Sequence, residues 1–300
     1  MGYQLKNEKL AVHIAGVGEQ YRGARFDWSG FITEVTLLEG KHSFCVPESP
    51  VPGKGTGGAG LCSEFGIDKP PGFSETPVGG QFPKLGVGLL TRLTDCEYRF
   101  FEEYPVSPFE VEVEEASLNL VRFRVQPEDC RGYAVRQFKT VAIEGDRLTV
   151  RYELHNVGKE PIYTEEYCHN FFGIDHRPVG PEYILKFPFE PAPWADREET
   201  MAGLVFGAGE VRWSRTPDKP FYFRLPGFDG RRNPWMWELL HLPSGAGVRE
   251  LSQFPVSSAA VWGEGHVISP EMFIEVNLAP GERKTWERVY HFFTNYSKIL

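Results

Sequence analysis

The sequence predicts an all-β protein, a large antiparallel β-sandwich, and three observations carry that prediction. Segments of period-two alternation recur along the chain, turn signals separate them, and no amphipathic helical stretch exceeds about ten residues. Gly and Pro, 32 and 24 of 300 residues, are too frequent for a helical bundle and show no collagen-like period.

Each element follows from its own pattern. Phe109-Glu110-Val111-Glu112-Val113-Glu114 alternates apolar and acidic residues, and Leu118 to Val125 repeats the pattern. Asp146 to Leu154 alternates again and stops at His155-Asn156-Val157-Gly158. Such strands have one buried and one solvated face, as antiparallel sheets do. Glu144-Gly145-Asp146, Val157-Gly158-Lys159, Pro243-Ser244-Gly245 and Ala279-Pro280-Gly281-Glu282 supply the turns. No internal repeat occurs at a fixed period.

Residues 47–88 depart from this pattern. The stretch is rich in Gly and Pro and too long for a connector, so it reads as a functional loop. Leu61, Phe65, Ile67, Phe73 and Phe82 within it argue that it packs and walls a cleft. Its GTGG run lacks the GK[ST] ending of a phosphate loop. Domains average about 150 residues, but all-β sandwiches run to about 250 as one unit. Residues 1–300 therefore read as a single sandwich domain.

The net charge of −9, from 41 acidic and 32 basic residues, argues against a nucleic-acid partner. No stretch approaches about 18 consecutive apolar residues, so no membrane span is expected. The N-terminus shows no signal peptide, and Lys6 breaks the myristoylation pattern. Cys45, Cys62, Cys96, Cys130 and Cys168 are odd in number and lack CxxC spacing, which favours free thiols in the cytoplasm.

Three sets of residues can carry chemistry. In Glu165-Glu166-Tyr167-Cys168-His169-Asn170-Phe171-Phe172, His169 ends a strand between aromatic residues, with Asn170 beside it. Such an imidazole can act as general acid or base, or can be a core histidine held by a backbone carbonyl. In His266 to Leu278, Glu271, Phe273 and Glu275 share one strand face. Four residues at about 3.3 Å each put the two Glu backbones roughly 13 Å apart, too far for a catalytic pair. One Glu in an aromatic pocket would be a usable base near neutral pH, and a solvated strand face is the alternative. Arg22, Arg25, Lys84 and Arg92, with Trp235 and Trp237, form a basic and aromatic lining suited to a small-molecule pocket. A nucleophile elbow, a Rossmann fingerprint, HExxH and zinc spacings are absent.

The run EYCHNFFGID resembles the NHxYFNL signature of the galactose mutarotase (aldose 1-epimerase) superfamily. The order of features is similar too: a glycine-rich early half, then RLTVRYELHNVG, the His segment and a Glu-bearing strand. The ending NLAPGERKTWERVYHFF resembles the family's PGE strand pair, so the likeness spans roughly residues 20 to 295. It implies a supersandwich that holds a sugar in an open groove and needs neither cofactor nor metal. One His would protonate the ring oxygen, and one Glu would take the anomeric hydroxyl proton. His169 matches that histidine and Glu271 the glutamate, with Glu275 as fallback. Glu64 and Phe65 stand near where the family keeps a substrate-binding arginine, for which no arginine here is matched, and Glu64 joins Arg25, Lys84, Asn170 and Trp235 as a sugar-binding candidate. The family's second histidine, usually followed by Gly, is replaced by Leu85 before Gly86.

The expected activity is aldose 1-epimerase-like, on a small-molecule sugar or sugar phosphate, by a monomer or homodimer. A carbohydrate-binding protein without catalysis is one alternative. A lyase or hydrolase on the same sandwich is the other, since fold does not dictate chemistry. An acid–base pair in one groove separates the first reading from the second. Calcium at Glu112-Val113-Glu114-Glu115 would be the exception to metal-free action.

Overall fold

The alternation in the sequence becomes long paired strands. Arg147–Asn156 buries Leu148, Val150, Tyr152 and Leu154, and pairs with Val135–Glu144 on one side and Arg283–Phe293 on the other. The structure, a computed structural model, describes residues 2–226, 228 and 235–294. Among these, the strands form antiparallel sheets of nine and ten strands and a small third sheet. No α-helix is present among the described residues, and none of their helices is long and apolar enough to cross a membrane.

The nine-stranded sheet runs from Tyr3–Lys6 at one edge to Phe221–Arg224 at the other, with Leu61–Phe65, Ile162–Asn170 and Val267–Leu278 adjacent inside it. The ten-stranded sheet holds Arg147–Asn156 and Arg283–Phe293 near its middle and ends at Val111–Ala116. Their inner faces share one apolar core, in which Cys168, Phe172, Met272 and Ile274 face Tyr152, Trp286, Tyr290 and Phe292. Val111–Ala116 is an edge strand, so its alternation buries little and Val113 remains exposed. Its acidic run is answered by cations across the strand pair: Glu114 by Arg122 at 3.1 Å, and Glu112 by Arg124.

Two charged clusters are sealed between the sheets. Arg288 donates to Glu166 at 2.7 Å and to Glu250 at 3.3 Å, and all three side chains are fully buried. Asp27 accepts from Tyr152 at 2.7 Å, Gln137 at 3.1 Å and Lys139 at 3.3 Å. Such groups are tolerated because every charge meets an opposite charge and hydrogen-bond partners.

Residues 47–88 are not one loop. Leu61–Phe65 lies inside the nine-stranded sheet, and Gln81–Lys84 and Gly88–Thr91 belong to the small sheet. Leu61–Phe65 is buried on both faces, so it shows no alternation. Gly60 precedes it at a φ of 64°, where a Cβ would fall 2.2 Å from the Ile32 carbonyl oxygen. All five cysteines are free thiols, with Cys96 exposed and the other four buried.

Candidate active site

Ile162–Asn170 and Val267–Leu278 run antiparallel in a register that sets Glu165 opposite Glu275 and Glu166 opposite Ile274. Strand parity divides their side chains. Glu166, Cys168 and Asn170 turn inward, while Glu165, Tyr167 and His169 face a cleft of about 600 Å³ on the outer side. Glu271, Phe273 and Glu275 of the partner strand face the same cleft. The same register, continued, sets Tyr167 beside Phe273 and His169 beside Glu271. The Tyr167 and Phe273 rings stack at 4.5 Å and 17°.

His169 Nε2 lies 3.3 Å from Glu271 Oε1. Ser269 Oγ donates to Glu271 Oε1 at 3.1 Å and sits 2.9 Å from His169 Nδ1. It also accepts the Asn170 amide hydrogen at 2.9 Å. With its one hydrogen committed to Glu271, Ser269 accepts from Nδ1–H, which leaves the Nε2 lone pair toward the Glu271 carboxyl.

Aromatic rings enclose this pair. The imidazole stacks on Phe171 at 4.0 Å and meets the Trp262 ring edge-on at 5.2 Å. Burial, reinforced by the Arg25 charge, holds the His169 pKa well below the ordinary 6.5. Burial also pushes the Glu271 carboxyl up to about 8, against the pull of Arg25 and the Ser269 hydrogen bond. At neutral pH the carboxyl keeps its proton and the imidazole is neutral.

Arg25 closes the cleft from the side. It donates to Glu64 at 2.8 Å, Tyr167 Oη at 2.8 Å and Thr56 at 3.0 Å, with its guanidinium against the Phe26 and Phe100 rings. Glu64 accepts from Lys84 at 3.1 Å as well. Burial opposes the Glu64 charge, yet Lys84 and Arg25 together hold its pKa below the usual carboxylate value. Ion-paired carboxylates of this kind stay ionised.

No family model matches the sequence, and no curated protein matches it. Solved structures do. The Slr1438 protein from Synechocystis sp. PCC 6803 superposes with a TM-score of 0.63 at 11% identity, covering 98% of this chain and 96% of that one. A galactose mutarotase-like protein from Lactobacillus casei gives 0.62 at 13% identity, covering 98% and 100%. An aldose epimerase homologue from C. elegans gives 0.57 at 11%, covering 98% and 99%. The chain has the galactose mutarotase-like fold. At these identities the likeness is one of fold, and what this mutarotase-like sandwich does rests on its own residues.

On the mutarotase-like frame the expected site residues separate. His169, Glu271 and Arg25 come together in the cleft, and Glu275 stands exposed at its rim. Four expected sugar-binding residues do not line it. Glu64 pairs with Tyr167 and points toward the cleft, but Arg25 and Lys84 engage it and leave it fully buried. Lys84 is equally buried, its ammonium held by Glu64 and the Gly66 carbonyl. Asn170 points inward, where its amide donates to the Pro270 carbonyl and its Oδ1 accepts from Tyr290. Trp235 packs at the ten-stranded sheet beside Arg249, the guanidinium 5.6 Å from its ring. Leu85 is buried in the main core, away from the cleft. His169 and Glu271 are direct neighbours, so no gap the width of a sugar ring separates them.

Sequence reasoning missed Tyr167, Ser269 and Trp262. Tyr167 precedes His169 by two residues and Ser269 precedes Glu271 by two, so strand parity alone could have placed them. Trp262 pairs with Ser269 across a third strand, which no local pattern announces.

Proposed function

We propose that the cleft interconverts the anomers of a reducing sugar, opening and closing the ring by general acid–base catalysis at His169 and Glu271. The observation that carries this reading is their 3.3 Å contact on the cleft floor. Burial, which lowers the His169 pKa and raises that of Glu271, supports it. The ring oxygen and the anomeric hydroxyl share one carbon. An acid and a base standing side by side, as these two do, can therefore serve both.

The resting protonation state supports roles opposite to those expected from the resemblance. Glu271 holds a proton to give, and the His169 Nε2 lone pair is free to take one. The anomeric O–H proton passes to Nε2, the Glu271 proton passes to the ring oxygen, the ring C–O bond breaks and the anomeric carbonyl forms. Rotation of the aldehyde exposes its other face, and the reverse transfers close the ring with inverted anomeric configuration. No electrons are gained or lost and both protons return, so the cycle balances without a cofactor. Among the described residues, no cluster of three or more His, Cys, Asp or Glu is arranged to hold a metal ion. A chelator should leave the rate unchanged. The free thiols suit a reducing compartment, and we place the reaction in the cytoplasm.

The direct test is polarimetry or exchange NMR on freshly dissolved anomers of neutral aldoses and their phosphates. Acceleration over buffer supports the reading. Sugar binding without acceleration for any aldose would replace it with a carbohydrate-binding protein.

A further inference from the structure

A second groove of about 730 Å³ adjoins the cleft, and the two share Asp68 as a common wall. The strand Ile162–Asn170 runs beneath both. His169, Tyr167 and Glu165 serve the first, and Tyr163, on the same face, serves the second. Six residues at about 3.3 Å each separate His169 from Tyr163 by roughly 20 Å, well beyond one pyranose ring.

The lining of this groove fits a sugar chain. Tyr163 is 66% exposed, and with Tyr133, Phe73 and the proline rings of Pro70, Pro71 and Pro161 it forms rigid apolar walls. The carbon-bound hydrogens of a pyranose face pack on such surfaces while its hydroxyls meet polar groups at the rim. The charges select against an anionic chain. Among the lining residues four carboxylates, Asp68, Glu75, Asp95 and Glu97, stand against two cations, Lys69 and Arg92, while Arg131 beside the groove donates to the Glu75 carbonyl. Arg92 is already committed to the carbonyls of Phe73, Thr76 and Thr94 and to Asp95.

We propose that this groove is the track for a neutral linear oligosaccharide whose reducing-end unit enters the cleft of His169 and Glu271. The proposal rests on the anomer-interconverting reading of that cleft and narrows its substrate from a single sugar to the end of a chain.

Cys96 supplies a direct readout, because it lines the groove and is the exposed thiol among the five. Its labelling by a dithiobis-nitrobenzoate reagent is followed with maltotetraose, cellotetraose or chitotetraose, and with the matching monosaccharides. At least one tetrasaccharide is expected to slow labelling several-fold where its monosaccharide does not. Tyr163→Ala should abolish that protection and Tyr163→Phe should retain it. In parallel, kcat/KM for the protecting tetrasaccharide should exceed that for its monosaccharide roughly tenfold, and Tyr163→Ala should bring the ratio near one. Absence of protection by every tetrasaccharide, or protection that survives Tyr163→Ala, overturns the groove. Turnover of monosaccharides without protection or chain preference also overturns the groove, and leaves the acid–base reading standing. Protection that depends on Tyr163, without turnover of any sugar, supports the groove and overturns the acid–base reading.

Discussion

His169 Nε2 and Glu271 Oε1 stand 3.3 Å apart, brought together by two antiparallel strands and joined through the hydroxyl of Ser269. Because both are buried, the proton rests on the carboxyl and the pair is neutral. Most of the expected behaviour of this protein follows from that arrangement.

His169→Asn and Glu271→Gln should each lower kcat by about 10²- to 10⁴-fold, the scale of general acid–base help. KM should move far less, since these groups act mainly in the transition state. The double variant should be little worse than either single one. Glu275→Gln, at the rim, should lose less than about tenfold. Stopped-flow polarimetry measures all four, and wild-type rates in both single variants would refute the assignment.

The rate should peak while the pair holds one proton. Activity is expected to fall as pH rises through about 8, where Glu271 ionises, and to fall again well below 6.5, where His169 gains a second proton. Ser269→Ala removes a hydrogen bond that lowers the Glu271 pKa, so the alkaline limb should move to higher pH. An unchanged alkaline limb in that variant would show that Ser269 does not position the pair.

Stability should carry the same signature. The folded Glu271 pKa of about 8 lies above its ordinary value of 4.5, so the stabilisation it contributes is complete below pH 4.5 and lost as pH rises through 8. Glu271→Gln should therefore match wild type near pH 4 and melt higher by roughly 5 °C near pH 9. Calorimetry across that range checks it, and equal melting temperatures at pH 9 would rule out a burial-raised carboxyl.

Arg288→Ala should be among the costliest single changes in the core. It strands Glu166 and Glu250 as buried carboxylates, which typically costs about 3–5 kcal/mol. Urea denaturation measures the loss, and a change under about 1 kcal/mol would mean that water or local repacking relieves both charges.

A single folding unit predicts one pattern of proteolysis. The exposed stretch 50–55 contains Lys54, where trypsin should cut first, while Leu61–Phe65 stays protected inside the sheet. The nicked chain should remain associated. Two independently stable fragments divided near residue 150 would show two domains instead.

What the sequence by itself determined is what depends on neighbours along the chain. Alternation within Arg147–Asn156 dictates a half-buried strand, and parity puts Glu271, Phe273 and Glu275 on one side because strand geometry repeats every two residues. The resemblance singled out His169 and Glu271 on the same local patterns. Tertiary structure decided everything that depends on depth and on partners distant in sequence. Leu61–Phe65 was hidden because a strand covered on both faces carries no alternation. Glu64 and Lys84 look like exposed ligands in a sequence, yet 20 residues apart they neutralise each other beneath Arg25 and never reach the cleft. Asn170 sits next to His169 in the chain but across the sheet from it in space, since adjacent strand residues point opposite ways. The resting protonation of the pair was likewise not local: it follows from burial among Phe171 and Trp262, which outweighs the pull of Arg25 on Glu271 and which the same charge reinforces at His169, and only folding brings these groups together.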